Sequence, residues 1–189
     1  MDVSPQEAQK ALDAIETMMK KARRAISNSG AYVFLIIWGF VWLFGFSANH
    51  FFSGKNAGYV WMVLDILGGI LSVVMGIRLG QVVRSASGGK TGQRIGWFWL
   101  LLAVYCMLLL LVAAPADMKQ RSMIIVIFVM IGWMAMGLLL SSASVWWGLA
   151  ITALALIGYY LLPGIFYLWM AVLGGGGMVT LGFFIRKRW

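Results

Sequence analysis

The chain has 189 residues, 62% of them hydrophobic and only 11% charged, with a formal net charge of +9. Soluble domains run at roughly 45 to 50% apolar and about 25% charged, so this chain cannot hide its apolar surface in one aqueous core. The basic excess does not call for nucleic acid, because Lys and Arg gather at the ends of apolar segments, where they meet anionic lipid headgroups. The expected partner of most of the surface is therefore the lipid bilayer.

The length suits one compact domain, and no polar stretch is long enough to fold separately outside the lipid. Two regions are expected: residues 1–30 as a cytoplasmic amphipathic helix, and residues 31–189 as a six-helix transmembrane domain. Ser4-Pro5-Gln6-Glu7 supplies an N-cap hydroxyl, a proline at the first helical position and a glutamate at the third. Leu12, Ile15, Met19, Ala22 and Ile26 then recur at three- and four-residue intervals, with Lys20, Lys21, Arg23 and Arg24 largely on other faces. Such a helix lies along the inner headgroup layer or docks a partner. Asn28-Ser29-Gly30 ends it. The first thirty residues hold no apolar core before a small-residue cleavage site, so the first span itself is expected to direct insertion.

The spans are predicted at 31–49, 58–78, 95–114, 122–141, 144–162 and 164–185, each near the roughly 20 residues that a 30 Å hydrocarbon core requires. Between 122 and 185 only Ser141-Ser142-Ala143-Ser144 and Pro163-Gly164 interrupt the apolar sequence, so the last three spans are joined by tight turns. Gly-rich residues 85–94 read as a loop.

Orientation follows from the basic residues. Lys10, Lys20, Lys21, Arg23, Arg24, Arg78, Arg84, Lys90, Arg94, Arg186, Lys187 and Arg188 fall on one side, and Lys55, Lys119 and Arg121 on the other. This twelve-to-three split predicts an inner-membrane protein with both termini and the 85–94 segment in the cytoplasm.

An internal repeat emerges when 61–78 is laid on 169–186 without a gap. Six of eighteen positions are identical, and Trp61, Met62, Gly68, Gly69, Ile77 and Arg78 each find their counterpart. Spans one and two then form a hairpin related to spans five and six in the same orientation.

Asp65 is the only acidic or basic side chain well inside a predicted span. A charge there costs about 2.5 to 3.5 kcal/mol on insertion scales, so it calls for a proton, a partner or a wet cavity. Two readings stand: a bond to a neighbouring helix, or upward to Lys55 or His50, against proton or cation handling. The aligned repeat position is Leu173, so hairpin architecture does not demand the acid.

Gly68, Ser72, Gly76 and Gly80 form a small-residue stripe at four-residue intervals, expected to pack helices closely. Gly174, Gly175, Gly176 and Gly177 weaken the last span by up to about 1 kcal/mol each relative to alanine. They point either to tight packing or to a locally unwound segment whose carbonyls bind a cation or substrate, with Asp65 across one cavity.

His50 at the outer end of span one reads as a headgroup-facing ring, and Cys106 as a small buried hydrophobe that has no second cysteine to bond. With one histidine and one cysteine, neither a multi-histidine metal site nor a Ser-His dyad can be assembled within one chain, and no cofactor is expected. Two classes lead: a small proton- or cation-linked transporter or channel subunit, and a non-transporting regulatory or scaffold subunit binding a partner membrane protein or a further copy of itself. An enzyme ranks third.

Overall fold

The computed structural model describes Thr17 and residues 31–52, 54–82, 88–140 and 143–188, so the N-terminal amphipathic helix lies outside the described residues. The described residues are helical, with no strand. Six helices follow in order: α1 Ala31–Phe51, α2 Lys55–Val82, α3 Gly88–Ala113, α4 Met118–Leu140, α5 Ala143–Leu161 and α6 over 166–188. Five carry segments long and apolar enough to cross a membrane, and α5 contributes a shorter apolar helix over Val145–Leu161. Helices suit this solvent because every interior backbone donor finds an acceptor within its own segment.

The 85–94 loop expected from its glycines is corrected: α3 already begins at Gly88 and runs through Gly92. Each glycine costs only about 1 kcal/mol in a helix, so the ladder formed by the residues that follow extends back through Gly92, Gly89 and Gly88. At 28 and 26 residues, α2 and α3 measure about 42 and 39 Å, longer than a 30 Å hydrocarbon core.

Three connections gather at one end. The Lys119 ammonium donates to the Pro163 carbonyl at 2.8 Å, tying the start of α4 to the α5–α6 turn. A cavity of about 270 Å³ at this end is lined by residues from the α1–α2 turn, by Met118 and by Tyr167. Gly54, at φ 66°, makes the α1–α2 turn in a left-handed conformation that costs glycine little. Ala114 takes φ 40° just before Pro115 and closes α3, its N–H reaching the Leu110 carbonyl at 3.0 Å.

Side-by-side packing runs α2, α1, α6, α5, α4, α3, with only slight contact between the two ends of this arc. Buried Trp42 and Phe46 of α1, Val126 and Met130 of α4, Ala155 of α5 and Phe166, Met170 and Met178 of α6 make the core. The buried hydrophobic residues include a single one from α2, Ala57, and none from α3.

Lipid tails are as apolar as leucine, so helices gain little by hiding apolar groups and associate through close van der Waals contact. Glycine notches provide it. The Trp61 ring fills the space where a Gly45 side chain would lie and meets Phe46 edge-on at 5.2 Å between centroids. Trp169 fills the equivalent space at Gly158, and its indole N–H donates to the Leu154 carbonyl at 2.9 Å. In both hairpins of the repeat, a tryptophan early in the second helix thus rests on a glycine late in the first.

The closest approach joins α1 to α6. A Cβ at Gly175 would stand 2.4 Å from the Leu43 backbone nitrogen and 2.9 Å from the Gly39 carbonyl oxygen, so backbone meets backbone. A Cβ at Gly39 would meet Val179 in turn, and one at Gly182 would meet Ile36. Residues 170–176 within α6 wind as a π-helix. Positions four apart rotate by about 40° per step in an α-helix, and the slacker i→i+5 winding reduces that drift. Met170, Gly174, Met178 and Gly182 all remain buried as a result.

Neighbouring glycines of the run differ sharply. Gly175→Ala is expected to cost about 1 to 3 kcal/mol through overpacking. Gly177→Ala, where a Cβ meets nothing within 4 Å, is expected to be neutral or to gain up to about 1 kcal/mol. Thermal unfolding of the two variants in detergent checks the contrast.

Candidate functional site

Asp65 stands about a third of the way along α2, ten residues or about 15 Å from its start at Lys55 and well inside the apolar span Lys55–Arg78. Its side chain is exposed on the outside of the bundle and makes no hydrogen bond or ion pair with a described residue. Neither Lys55 nor His50 bonds to it, and the His50 ring instead stands edge-on to Phe51 at 5.0 Å. The carboxyl therefore projects from a helix that is otherwise apolar at this depth, with exposed Met62 and Ile66 around it.

The surface beside Asp65 is unusually bare. Gly58, Gly69 and Gly76 lie within about 40° of Asp65 around the helix, given 100° per residue. A side chain added at any of the three would meet nothing within 4 Å. The acid is thus flanked by glycines with open space beside them along the side of the molecule.

The other candidate residues have differing surroundings. Gly68 is buried against α1, where a Cβ would come within 2.9 Å of Val41. Ser72 is half-buried, and its Oγ is shut off from solvent with no hydrogen-bond partner. Gly76 has open space beside it, and the surroundings of Gly80 lie outside the described residues. The stripe therefore turns from α1 toward the outside as it descends.

Gly174 and Gly175 are buried against Trp42, Leu43 and Gly39 of α1, Gly176 is half-buried, and Gly177 is exposed. The run stays helical, with Gly177 at φ −60° and ψ −44° and its N–H directed to the Gly174 carbonyl. α1 packs against α2 on one side, through Gly45 and Val41, and against α6 on another, through Gly39 and Leu43. It thus stands between Asp65 and the glycine run.

Three hydroxyls elsewhere in the spans bond to a carbonyl three or four residues back in their own helix. Ser47 donates to the Leu43 carbonyl, Thr152 to that of Gly148 and Thr180 to that of Gly177, at 2.6 to 2.9 Å. Among the described residues no three His, Cys, Asp or Glu side chains converge in a way that would hold a metal ion.

One residue was not legible as a candidate from the sequence. Tyr105 of α3 is 64% exposed, and its hydroxyl has no partner among the described residues. Counting depth from the shared end of the bundle finds it, since it lies eight residues or about 12 Å from the end of α3, close to the level of Asp65. No family model, no curated protein and no solved structure matches the chain.

Because no described group holds the carboxyl, its removal breaks nothing inside the chain. Asp65→Leu is expected to leave the unfolding free energy of the detergent-solubilised monomer within about 0.5 kcal/mol, or to raise it. A loss above about 1 kcal/mol would mean that the acid is bonded within its own fold.

Proposed function

We propose that this chain is a non-transporting membrane subunit, regulatory or scaffolding, that binds a partner through the outer face of α2 around Asp65. The observation that carries this reading is the exposure of Asp65 on a flank directed at lipid. Intramembrane acids face a bundle interior or a water-filled cavity almost without exception, because an unpaired carboxyl in hydrocarbon is costly. Covering this flank with protein removes the cost, and the open glycines at 58, 69 and 76 let another helix come close.

The cellular setting follows from charge. With the turn between α1 and α2 on the outside, twelve of the fifteen basic residues lie at or beyond the opposite end, which we assign to the cytoplasm of an inner membrane. Basic groups of residues 1–30 then meet anionic headgroups at that surface.

Proton or cation transport is the second reading, and the acid at mid-span is what speaks for it. It has less support, because the glycine run that would form the opposite wall of a pathway is packed on the α1 backbone.

Photo-crosslinking in intact cells separates the two. A benzophenone amino acid in place of Gly69 is expected to give adducts with protein that disappear when Asp65→Leu is added. The same probe at Val172, exposed on α6, serves as the control. Adducts with lipid alone at both positions would refute the partner face.

A further inference from the structure

We infer that the occupant of the Asp65 face is a second copy of this chain, whose Tyr105 hydroxyl donates to the Asp65 carboxyl while its own Asp65 accepts from the first copy's Tyr105. This rests on the partner-face reading and names the partner. Three observations carry it: a matching acceptor and donor, a shared depth, and complementary relief.

The acceptor and donor are both unused. Asp65 and Tyr105 are exposed and have no hydrogen-bond partner among the described residues. No Lys or Arg lies within the spans near this depth, so a second copy cannot offer an ion pair there. It can offer a phenol, and an O–H donated to a carboxylate is among the stronger neutral-to-charged hydrogen bonds.

Depth decides whether the two groups can meet. Copies in one membrane share their orientation, and a twofold axis along the membrane normal leaves every residue at its own level. Asp65 lies about 15 Å and Tyr105 about 12 Å from the same end of the bundle, so the rotation keeps them nearly level. α2 of one copy then runs antiparallel to α3 of the other. The contact is isologous, occurring twice and closing on itself.

Relief matches as well. Beside Tyr105, exposed Leu101, Leu108 and Val112 fall at helical intervals of four, three and four residues and form a ridge on α3. The face of α2 offers bare backbone with open space at Gly58 and Gly69, on either side of Asp65. With Asp65 opposite Tyr105, Gly58 stands level with Val112 and Gly69 with Leu101, so large side chains meet bare backbone. Within one chain these faces do not engage, since α2 and α3 touch only slightly and the glycines stay open.

Self-association of the full chain in lipid nanodiscs or mild detergent, followed by single-molecule photobleaching across a dilution series, tests this directly. Wild type is expected to be dimeric. Tyr105→Phe, which keeps the ring and loses only the hydroxyl, is expected to dissociate roughly tenfold more readily, as is Asp65→Leu. The double variant should be no worse than either single change, because both remove the same bond.

In a Cys106→Ser background, copies bearing Gly69→Cys should form disulfides with copies bearing Leu101→Cys on mild oxidation. A monomeric wild type overturns the inference, as does a Tyr105→Phe variant that dimerises like wild type. A Gly69→Cys/Leu101→Cys chain that bonds only to itself also overturns it, because the hairpin would then close within one copy. Crosslinks from Gly69 to a different protein would overturn the second copy as occupant while leaving the partner face standing.

Discussion

The contact between the backbones of α1 and α6 governs the rest of this molecule. Gly175 sits where any side chain would strike Leu43 and Gly39, and Gly39 and Gly182 extend the approach along both helices. In hydrocarbon no water is released when apolar surfaces meet, so stability must come from the number of atoms brought into van der Waals range. Two helices stripped to their backbones bring in more than two helices held apart by side chains. Trp42, Phe46, Met170 and Met178 then fill the space around that seam.

That choice has a consequence at the other edge of the arc. Nearly all the buried residues come from α1, α4, α5 and α6, so α2 and α3 pack on the outside with little of their surface covered. Apolar side chains there face lipid at no cost. Asp65 does not, and the glycines beside it do nothing for the monomer. Placement of the one mid-span acid on the least buried flank, and not against the seam, turns attention from a path through the bundle to a surface on its side.

Much of the fold was legible because its signals are local. Span number and limits follow from apolar run length against bilayer thickness, and α1 to α6 lie close to the predicted segments. The helical start of α3 at Gly88-Gly89 was not legible, because glycine lowers helix propensity without forbidding a helix. Nor was the π winding of 170–176, which answers to the surface of α1 and not to its own residues. Among the site candidates, the spacing of Gly68, Ser72 and Gly76 could be read, but only the packed structure tells that Gly68 meets α1 while Gly76 meets nothing. Tyr105 escaped because a tyrosine in an apolar span looks like any lipid-facing aromatic until its level is compared with that of Asp65.

The seam itself is open to a direct measurement. Magic-angle-spinning NMR of the isotope-labelled protein in lipid bilayers, at short mixing time, should show a cross-peak between the Gly175 and Leu43 Cα carbons beside those joining Trp169 to Gly158. The account predicts both. Trp169–Gly158 contacts without the Gly175–Leu43 peak would mean that α6 packs on α5 but stands away from α1, and the account would fail.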